Sequence, residues 1–101
     1  MSKEINTVEE FKEVIKGTCL VDFYMDDCPN CKAMDTVISS LDIDIPVYKF
    51  KVDRKISMAI RDVCTVMGAP TISLFKNSNE EFRNTGFMNA EELKDVILVY
   101  S

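Results

Sequence analysis

The sequence predicts an α/β domain in which a central mixed sheet of four or five strands is flanked by helices on both faces. Segments with helical apolar spacing alternate with short apolar strands, as in strand–helix–strand units. The run 18–25 is almost continuously apolar, which is typical of a central parallel strand covered on both faces. Strands at 71–75 and 81–85 enclose a turn and predict an antiparallel hairpin at one edge. A chain of 101 residues, 47% of them hydrophobic, suits a single domain over residues 1–101.

The first half of the chain begins with a helix that has its own start and stop signals. Thr7 and Glu10 form a capping box, in which Thr7 is the cap and Glu10 reaches back, and Gly17 ends the helix. The strand at 18–25 follows directly. The second helix starts at Pro29, because proline suits the first position of a helix. Apolar spacing predicts the following inward-facing side chains on these two helices: Val8, Phe11, Val14, Ile15, Met34, Val37, Ile38 and Leu41.

The second half of the chain continues the alternation of strands and helices. Its predicted elements are a strand at 47–53, a helix at 57–66 that starts at Ser57, the hairpin with a turn at 77–79, and a final helix. Asn89 caps the final helix, with Glu92 three residues later. Right-handed crossovers make the first strands parallel, and a short edge strand at 3–5 is a further candidate. Inward-facing side chains are expected at Ile60, Val63, Cys64, Leu93, Val96, Ile97 and Tyr100.

Charge and composition exclude several classes of partner and location. The net charge of −5, with acidic residues spread along the chain, argues against nucleic acid or an anionic membrane as the main partner. No stretch approaches the roughly 18 consecutive apolar residues that a membrane span needs. The first residues lack the apolar region of a signal peptide, so we expect a cytoplasmic protein in a reducing compartment.

The segment Cys28-Pro29-Asn30-Cys31 is the most informative motif in the chain. It follows the apolar strand and opens a helix, so Cys28 is expected at a helix N-terminus. Unpaired backbone N–H groups and the helix dipole favour a thiolate over a thiol at that position. Cys31 lies one turn further along and can close a small disulfide ring. Dithiol–disulfide exchange requires a stabilised thiolate and a second thiol that resolves the mixed disulfide.

The same spacing of cysteines also occurs in structural disulfides and as half of a zinc site. Zinc usually takes four Cys or His ligands, and this chain has no histidine. The other cysteines, Cys19 and Cys64, stand alone in apolar stretches and are expected to be buried core thiols. In a reducing compartment the Cys28–Cys31 pair is therefore more consistent with catalysis than with structure.

Asp22 is the only charged residue in the apolar run 19–25. Burial of an unpaired carboxylate is costly, so a buried Asp either becomes neutral or finds a partner. The alternative is an aspartate at an exposed strand end. Lys49 shares the alternation of its strand with Lys51, and periodicity alone predicts a solvated side chain.

Over nearly its whole length the chain resembles the thioredoxins. Val21-Asp22-Phe23-Tyr24 is similar to the Val-Asp-Phe-Trp strand of that family, and Cys28-Pro29-Asn30-Cys31-Lys32 stands where the family has Cys-Gly-Pro-Cys-Lys. Ala69-Pro70-Thr71 matches the turn that carries the family's cis-proline. Further matches are Val52-Asp53, Leu74-Phe75-Lys76-Asn77 and Gly86.

The resemblance implies a thioredoxin fold and a role for each matching residue. Asp22 becomes a buried proton acceptor for Cys31, with a pKa raised by desolvation, and Lys49 aligns with the lysine that accompanies that aspartate. The Ala69–Pro70 bond is expected to be cis and to expose the backbone of residue 69 opposite the thiols. The residues expected to contact substrate are Asp27, Pro29, Asn30, Ala69, Pro70 and Gly86.

The departures from the family pattern lie around the thiols. The chain has no tryptophan, and Tyr24 and Asp27 stand where thioredoxins usually carry it. Thr36 replaces a helix-kinking proline that many members have. The proline after the first cysteine is similar to the Cys-Pro-Tyr-Cys motif of glutaredoxins. These changes bear on partner specificity and redox potential more than on fold or reaction.

The sequence therefore predicts a cytoplasmic protein-disulfide reductase that acts through Cys28 and Cys31. We expect a monomer that needs no bound cofactor or metal, acts on disulfide-containing protein substrates and is regenerated by a flavin-dependent thioredoxin reductase. Two alternatives remain at this point. One is a glutaredoxin-like enzyme that draws electrons from glutathione. The other is a non-catalytic thioredoxin-fold binding module, or one that binds zinc or an iron–sulfur centre through the two cysteines.

Overall fold

The chain alternates strands and helices in the predicted order. A computed structural model describes residues 2–101. Its elements are β1 (Ser2–Ile5), α1 (Val8–Val14), β2 (Cys19–Tyr24), α2 (Pro29–Ser40), β3 (Val47–Lys51), α3 (Arg54–Ala59), β4 (Thr71–Lys76), β5 (Asn79–Thr85) and α4 (Ala90–Tyr100). None of the helices within this range is long and apolar enough to cross a membrane.

The strands form one five-stranded mixed sheet with the order β1-β3-β2-β4-β5. Both β1 and β2 pair with β3 in parallel, as predicted for the first strands. The hairpin of β4 and β5 adds the antiparallel part, through pairing of β4 with β2. The predicted α/β fold class is confirmed, and the candidate edge strand at 3–5 is present as β1.

The central strand β2 has both faces covered, as its apolar run predicted. Successive side chains of a strand point to opposite faces, so Val21 and Phe23 share one face while Leu20 shares the other with Asp22. On the first face Phe11 of α1 packs against three aromatic rings, with ring centroids 5.4–5.7 Å apart. Full burial of such a ring contributes about 1.5–3 kcal/mol, so this cluster fixes α1 on the sheet.

On the opposite face, α2 and α4 cover the sheet. Met34 and Ile38 of α2 and Leu93 of α4 join Leu20 in one buried apolar cluster. A buried face at helical spacing holds α2 directly over β2. Asp22 lies on this side of the sheet, the side from which α2 presents the CxxC motif.

The prediction for the third helix is wrong at both ends. The helix spans Arg54–Ala59 and not 57–66, because the side chain of Asp53 caps it by accepting the backbone N–H of Ile56 at 2.8 Å. The chain then turns, and Ile60 and Cys64 are buried from that turn. Burial of these two side chains was predicted correctly. The prediction assumed that they lie on a helix, whereas they lie in and just after the turn that follows it.

Smaller differences occur at the other element boundaries. Glu10 accepts the backbone N–H of Asn6 at 3.0 Å and not that of Thr7, although Thr7 caps α1 as predicted. The strand β5 starts at Asn79 because Asn77 and Ser78 adopt positive φ angles of 53° and 68° and close a tight hairpin. Other ends shift by two or three residues: α1 ends at Val14 and β3 at Lys51. Tyr100, expected to face inward, is 39% exposed and packs against Phe82.

Candidate active site

The junction between β2 and α2 presents Cys28 as the N-cap of the helix. Its backbone is extended, and its Sγ accepts the backbone N–H of Cys31 at 3.2 Å. Pro29 occupies the first helical position, where its missing N–H costs nothing. Unpaired N–H groups and the positive end of the helix dipole converge on this sulfur, so the helix stabilises negative charge there.

Cys28 and Cys31 form a disulfide, with their Cα atoms 5.2 Å apart. The two sulfurs are not equivalent. Cys31 is buried, with 4% of its surface exposed, whereas Cys28 is only half-buried and reaches the surface. An outer and an inner sulfur are thus held within bonding distance at the start of one helix.

The turn before β4 lies against the outer sulfur. The Ala69–Pro70 bond is cis, as the resemblance implied, and the carbonyl oxygen of Ala69 lies 3.7 Å from Cys28 Sγ. Gly86 donates its backbone N–H to the Pro70 carbonyl oxygen at 2.7 Å and adopts a φ of +104°, which favours glycine. The structure therefore places the Ala69 carbonyl beside Cys28 and joins Gly86 to the adjoining Pro70.

Asp22 is completely buried. Among the side chains of residues 2–101 neither of its carboxylate oxygens has a hydrogen-bond partner. Burial, aided by the negative charges of Asp35 and Glu4 and opposed by Lys49, raises the pKa of Asp22 to about 7. A carboxyl group with a pKa near neutrality can take up or release a proton under ordinary conditions.

Lys49 is less exposed than periodicity indicated, with 22% of its side chain accessible. Its ammonium forms an ion pair with Asp35 of α2, with Nζ 2.9 Å from Oδ1 and 3.0 Å from Oδ2. The same ammonium lies 4.5 Å from the centre of the Tyr24 ring, an arrangement that favours a cation. Tyr24 in turn donates its hydroxyl to Glu4 at 2.7 Å.

A cleft of about 180 Å³ joins the thiols to this charged group. The residues that line it are Tyr24, Met25, Asp26, Asp27, Cys28, Cys31, Lys32, Asp35 and Lys49. Asp26 forms an ion pair with Lys51, so one of the two carboxylates before Cys28 is neutralised. Asp27 is exposed and adopts a positive φ of 52°. Pro29 and Asn30 are exposed in the first turn of α2.

Exposed apolar side chains lie near the thiol cleft and after Gly86. Met25 is 45% exposed and lines both the thiol cleft and a neighbouring groove of about 270 Å³. Met67 and Gly68 line the same groove, directly before the Ala69–Pro70 turn. Phe87, which follows Gly86, is 48% exposed. Met25 and Met67 thus form an exposed apolar surface next to the thiol cleft.

The remaining cysteines lie apart from this site, as predicted. Cys19 and Cys64 are buried in the apolar cluster under α1, and burial raises their pKa to about 11 and about 12. Within residues 2–101 there is no group of three or more His, Cys, Asp or Glu side chains that could hold a metal ion.

Two charged contacts of the site were not found from the sequence. Asp35 follows Cys31 by four residues, so both lie on one face of α2, and this spacing is the only sequence signal that points to it. The pairing of Asp26 with Lys51 depends on the neighbouring strand β3 and has no local signal.

Comparison with known proteins agrees with this geometry. The model of the family described as Thioredoxin matches residues 2–98. A thioredoxin from Chlamydia trachomatis serovar D is 30% identical over 96 residues, which cover 93% of this chain and 94% of that protein. A thioredoxin from Chlamydia muridarum is 31% identical over 85 residues, or 83% of each chain.

Solved structures agree as well. A mutant thioredoxin from Halobacterium salinarum NRC-1 superimposes with a TM-score of 0.84 at 27% identity, over 98% of this chain and 89% of that one. A thioredoxin from Malassezia sympodialis gives a TM-score of 0.79 at 25% identity, over 99% and 90% of the two chains. With these similarities and a CxxC pair at the start of α2, the chain belongs to the thioredoxin family and is a thiol–disulfide oxidoreductase.

Proposed function

We propose that Cys28 is the attacking thiol and Cys31 the resolving thiol in the reduction of protein disulfides. The observation that carries the proposal is the position of Cys28. The residue is only half-buried, and its Sγ accepts a backbone N–H at the start of α2 and lies beside the Ala69 carbonyl. A thiolate in that position is stabilised and within reach of a substrate.

The proposed reaction has two exchange steps. The Cys28 thiolate attacks one sulfur of the substrate disulfide, forms a mixed disulfide and releases the other substrate sulfur as a thiolate, which takes up a proton. The Cys31 thiolate then attacks Cys28 Sγ. This step forms the Cys28–Cys31 disulfide and releases the second substrate thiol, so two electrons pass from the protein to the substrate.

Asp22 is proposed as the acceptor of the Cys31 proton before the second step. Its pKa of about 7 suits this exchange, because a carboxyl group near neutrality neither holds its proton too tightly nor loses it permanently. Lys49 is proposed to modulate this carboxyl through its positive charge.

Substrate is proposed to contact Asp27, Pro29, Asn30, Ala69, Pro70 and Gly86. The Ala69 carbonyl beside Cys28 suits pairing with an extended backbone segment of the substrate. The exposed Met25 and Phe87 would cover apolar side chains of that segment.

The partner that regenerates the dithiol is proposed to be a flavin-dependent thioredoxin reductase, since this chain carries the dithiol but needs an external source of electrons. All groups of the proposed mechanism come from one chain, which supports action as a monomer. A disulfide reductase fits the cytoplasm, where the surroundings keep thiols reduced, and we propose this location.

The experiment compares Cys28→Ser and Cys31→Ser with the parent protein, with insulin as the disulfide substrate and dithiothreitol as the electron source. Cys28→Ser should lose essentially all activity. Cys31→Ser should also lose turnover through the two-cysteine route. When this variant is reduced, freed of dithiothreitol and then mixed with insulin, it should accumulate a mixed disulfide on Cys28, which mass spectrometry detects. Cys64→Ala serves as the control for loss of a thiol outside the site. Turnover of the Cys31 variant at the parent rate would contradict the dithiol mechanism, and turnover with glutathione would favour a glutaredoxin-like route.

A further inference from the structure

Asp22 and Lys49 are paired in register on β2 and β3, yet they do not form an ion pair. Directly opposed residues of neighbouring strands point to the same face of a sheet, so the two side chains start from adjacent positions. Among residues 2–101 no hydrogen bond reaches the Asp22 carboxyl, whereas the Lys49 ammonium contacts both oxygens of Asp35. The cation that could neutralise the buried carboxylate is engaged elsewhere.

Asp35 is well placed to compete for this cation. It lies on α2 four residues after Cys31 and lines the thiol cleft together with Lys49. Its side chain is 44% exposed, so the ion pair keeps water around one partner, while the Tyr24 ring lies against the ammonium. Transfer of the ammonium inward to the buried Asp22 would take the lysine charge further from water, a loss of hydration that the partly exposed pair with Asp35 avoids.

We propose that Asp35 is a positioning residue for the exchange reaction: it holds the Lys49 ammonium at the mouth of the cleft and so withholds a counter-ion from Asp22. This inference rests on the proposed role of Asp22 as the proton acceptor. It adds to that role a residue that sets how readily Asp22 changes its protonation state.

The charges around Asp22 determine whether its carboxyl group is neutral or ionised. The groups that face it are Glu4 from β1, Lys49 from β3 and Asp35 from α2, while β4 presents Ile72. Two of the three charges are negative, and they add to burial in favouring the neutral carboxyl. A carboxylate paired with a lysine would stay ionised at neutral pH, and its capacity to exchange a proton with Cys31 would fall.

The test measures the titration of Asp22 by carbon NMR of its carboxyl group in the oxidised, full-length protein. The variants are Asp35→Asn, Lys49→Met and the double variant. Asp26→Asn is the matched control, because it removes the same charge from the same cleft but from a carboxylate that pairs with Lys51. Asp35→Glu tests whether a carboxylate at this position suffices.

Asp35→Asn should lower the pKa of Asp22 by about one unit or more, as expected when a nearby negative charge is removed and a lysine gained. The effect should shrink to less than half in the Lys49→Met background, because only direct repulsion remains there. Asp26→Asn should leave the pKa of Asp22 where it is in the parent. Asp35→Glu should keep the pKa of Asp22 close to the parent value. An unchanged titration in Asp35→Asn, an equal effect with and without Lys49, or an equal effect of Asp26→Asn would each overturn the assignment.

A second readout separates this inference from the proposed role of Asp22. The pH profile for release of substrate from the Cys28 mixed disulfide should move to lower pH in Asp35→Asn, in step with the titration of Asp22. A shifted titration with an unmoved release profile would support the control of Asp22 by Asp35 and overturn Asp22 as the proton acceptor.

Discussion

At the scale of single residues, the site is built around a carboxyl group that the fold leaves without a partner. The pKa of Asp22 is raised from 3.8 to about 7, chiefly because burial disfavours its charged form. Such a group costs stability whenever it is ionised, and a fold selected for stability alone would replace it. The proposed role in proton transfer would give this costly carboxyl beside the CxxC helix a function.

This cost gives Asp22→Asn a pH-dependent effect on stability. Between pH 4 and pH 7 the unfolded chain has lost the Asp22 proton that the folded protein keeps, so the free energy of unfolding of the parent falls as pH rises and levels off above about 7. The variant has no such proton. Its advantage over the parent should grow across this window by up to about 4 kcal/mol in chemical denaturation, which is what a pKa raised from 3.8 to about 7 corresponds to. A difference that stays constant with pH would contradict a raised pKa, and Asp26→Asn should show no such growth.

The same variant should also change the rate of the second exchange step. In the parent, release of substrate from the Cys28 mixed disulfide should accelerate as pH rises through about 7, because ionised Asp22 can accept the Cys31 proton. Asp22→Asn should be slower near neutral pH and lack that rise. An unaltered profile in stopped-flow measurements would exclude Asp22 from the proton transfer.

Asp27 is the sharpest local departure from the family, and its charge should oppose thiolate formation at Cys28. A negative charge next to the thiolate counteracts the helix N-terminus, while Asp26 is already offset by Lys51. In Asp27→Asn the Cys28 thiolate should form at lower pH, by a few tenths up to about one pH unit because the site is exposed and screened. The variant should also be more oxidising. Asp26→Asn should have the smaller effect, and coincident thiolate absorbance curves would leave Asp27 as a recognition residue only.

The surroundings of a residue were predicted well where the local sequence pattern indicates them. They were not predicted where they depend on contacts between different helices and strands. Asp22 was expected to be buried because it interrupts an apolar run, and it is. Lys49 alternates with buried residues along its strand, so its side chain was predicted to be solvated. Contact with α2 buries most of that side chain. For Asp35 the only local signal was its helical spacing from Cys31, since its partner lies on a strand 14 residues away.

At the scale of elements, side-chain caps decide where the helices begin. The cap at Asn89 was predicted because the sequence carries both residues of a capping box, Asn89 and Glu92. Both hydrogen bonds of that box are formed. The cap at Asp53 was missed because a strand was expected to continue through it and the apolar spacing favoured a later helix. Apolar periodicity predicts burial better than boundaries, because a turn after a short helix can bury the same side chains.

The layer between the sheet and α1 has a structural role that involves two cysteines. Cys19 and Cys64 are both buried there, and burial raises the pKa of each thiol far above neutrality, so neither forms a reactive thiolate. The double variant Cys19→Ala, Cys64→Ala should keep the parent turnover while losing about 1–3 kcal/mol of stability from lost packing. Thermal unfolding and insulin reduction measure the two effects. Loss of turnover in a folded variant would indicate a second functional thiol.

At the scale of the whole molecule, the sheet order brings distant segments to one place. The strand β2 lies between β3 and β4, so the CxxC helix that follows it meets Lys49 on one side and the Ala69–Pro70 turn on the other. The alternation of elements predicted the fold class, and right-handed crossovers predicted the parallel pairs. The neighbours of each site residue depend on how α2 packs on the sheet, which periodicity along one segment cannot specify.

The proposed mechanism requires the fold to make Cys28 the single reactive thiol among the four cysteines. The most direct test is to reduce the protein, treat it briefly with iodoacetamide near pH 7 and locate the label by peptide mapping. We expect Cys28 to be labelled first, at least about tenfold faster than Cys31, Cys19 or Cys64, since only Cys28 combines access with a stabilised thiolate. Equal or faster labelling of any other cysteine in the folded protein would contradict it.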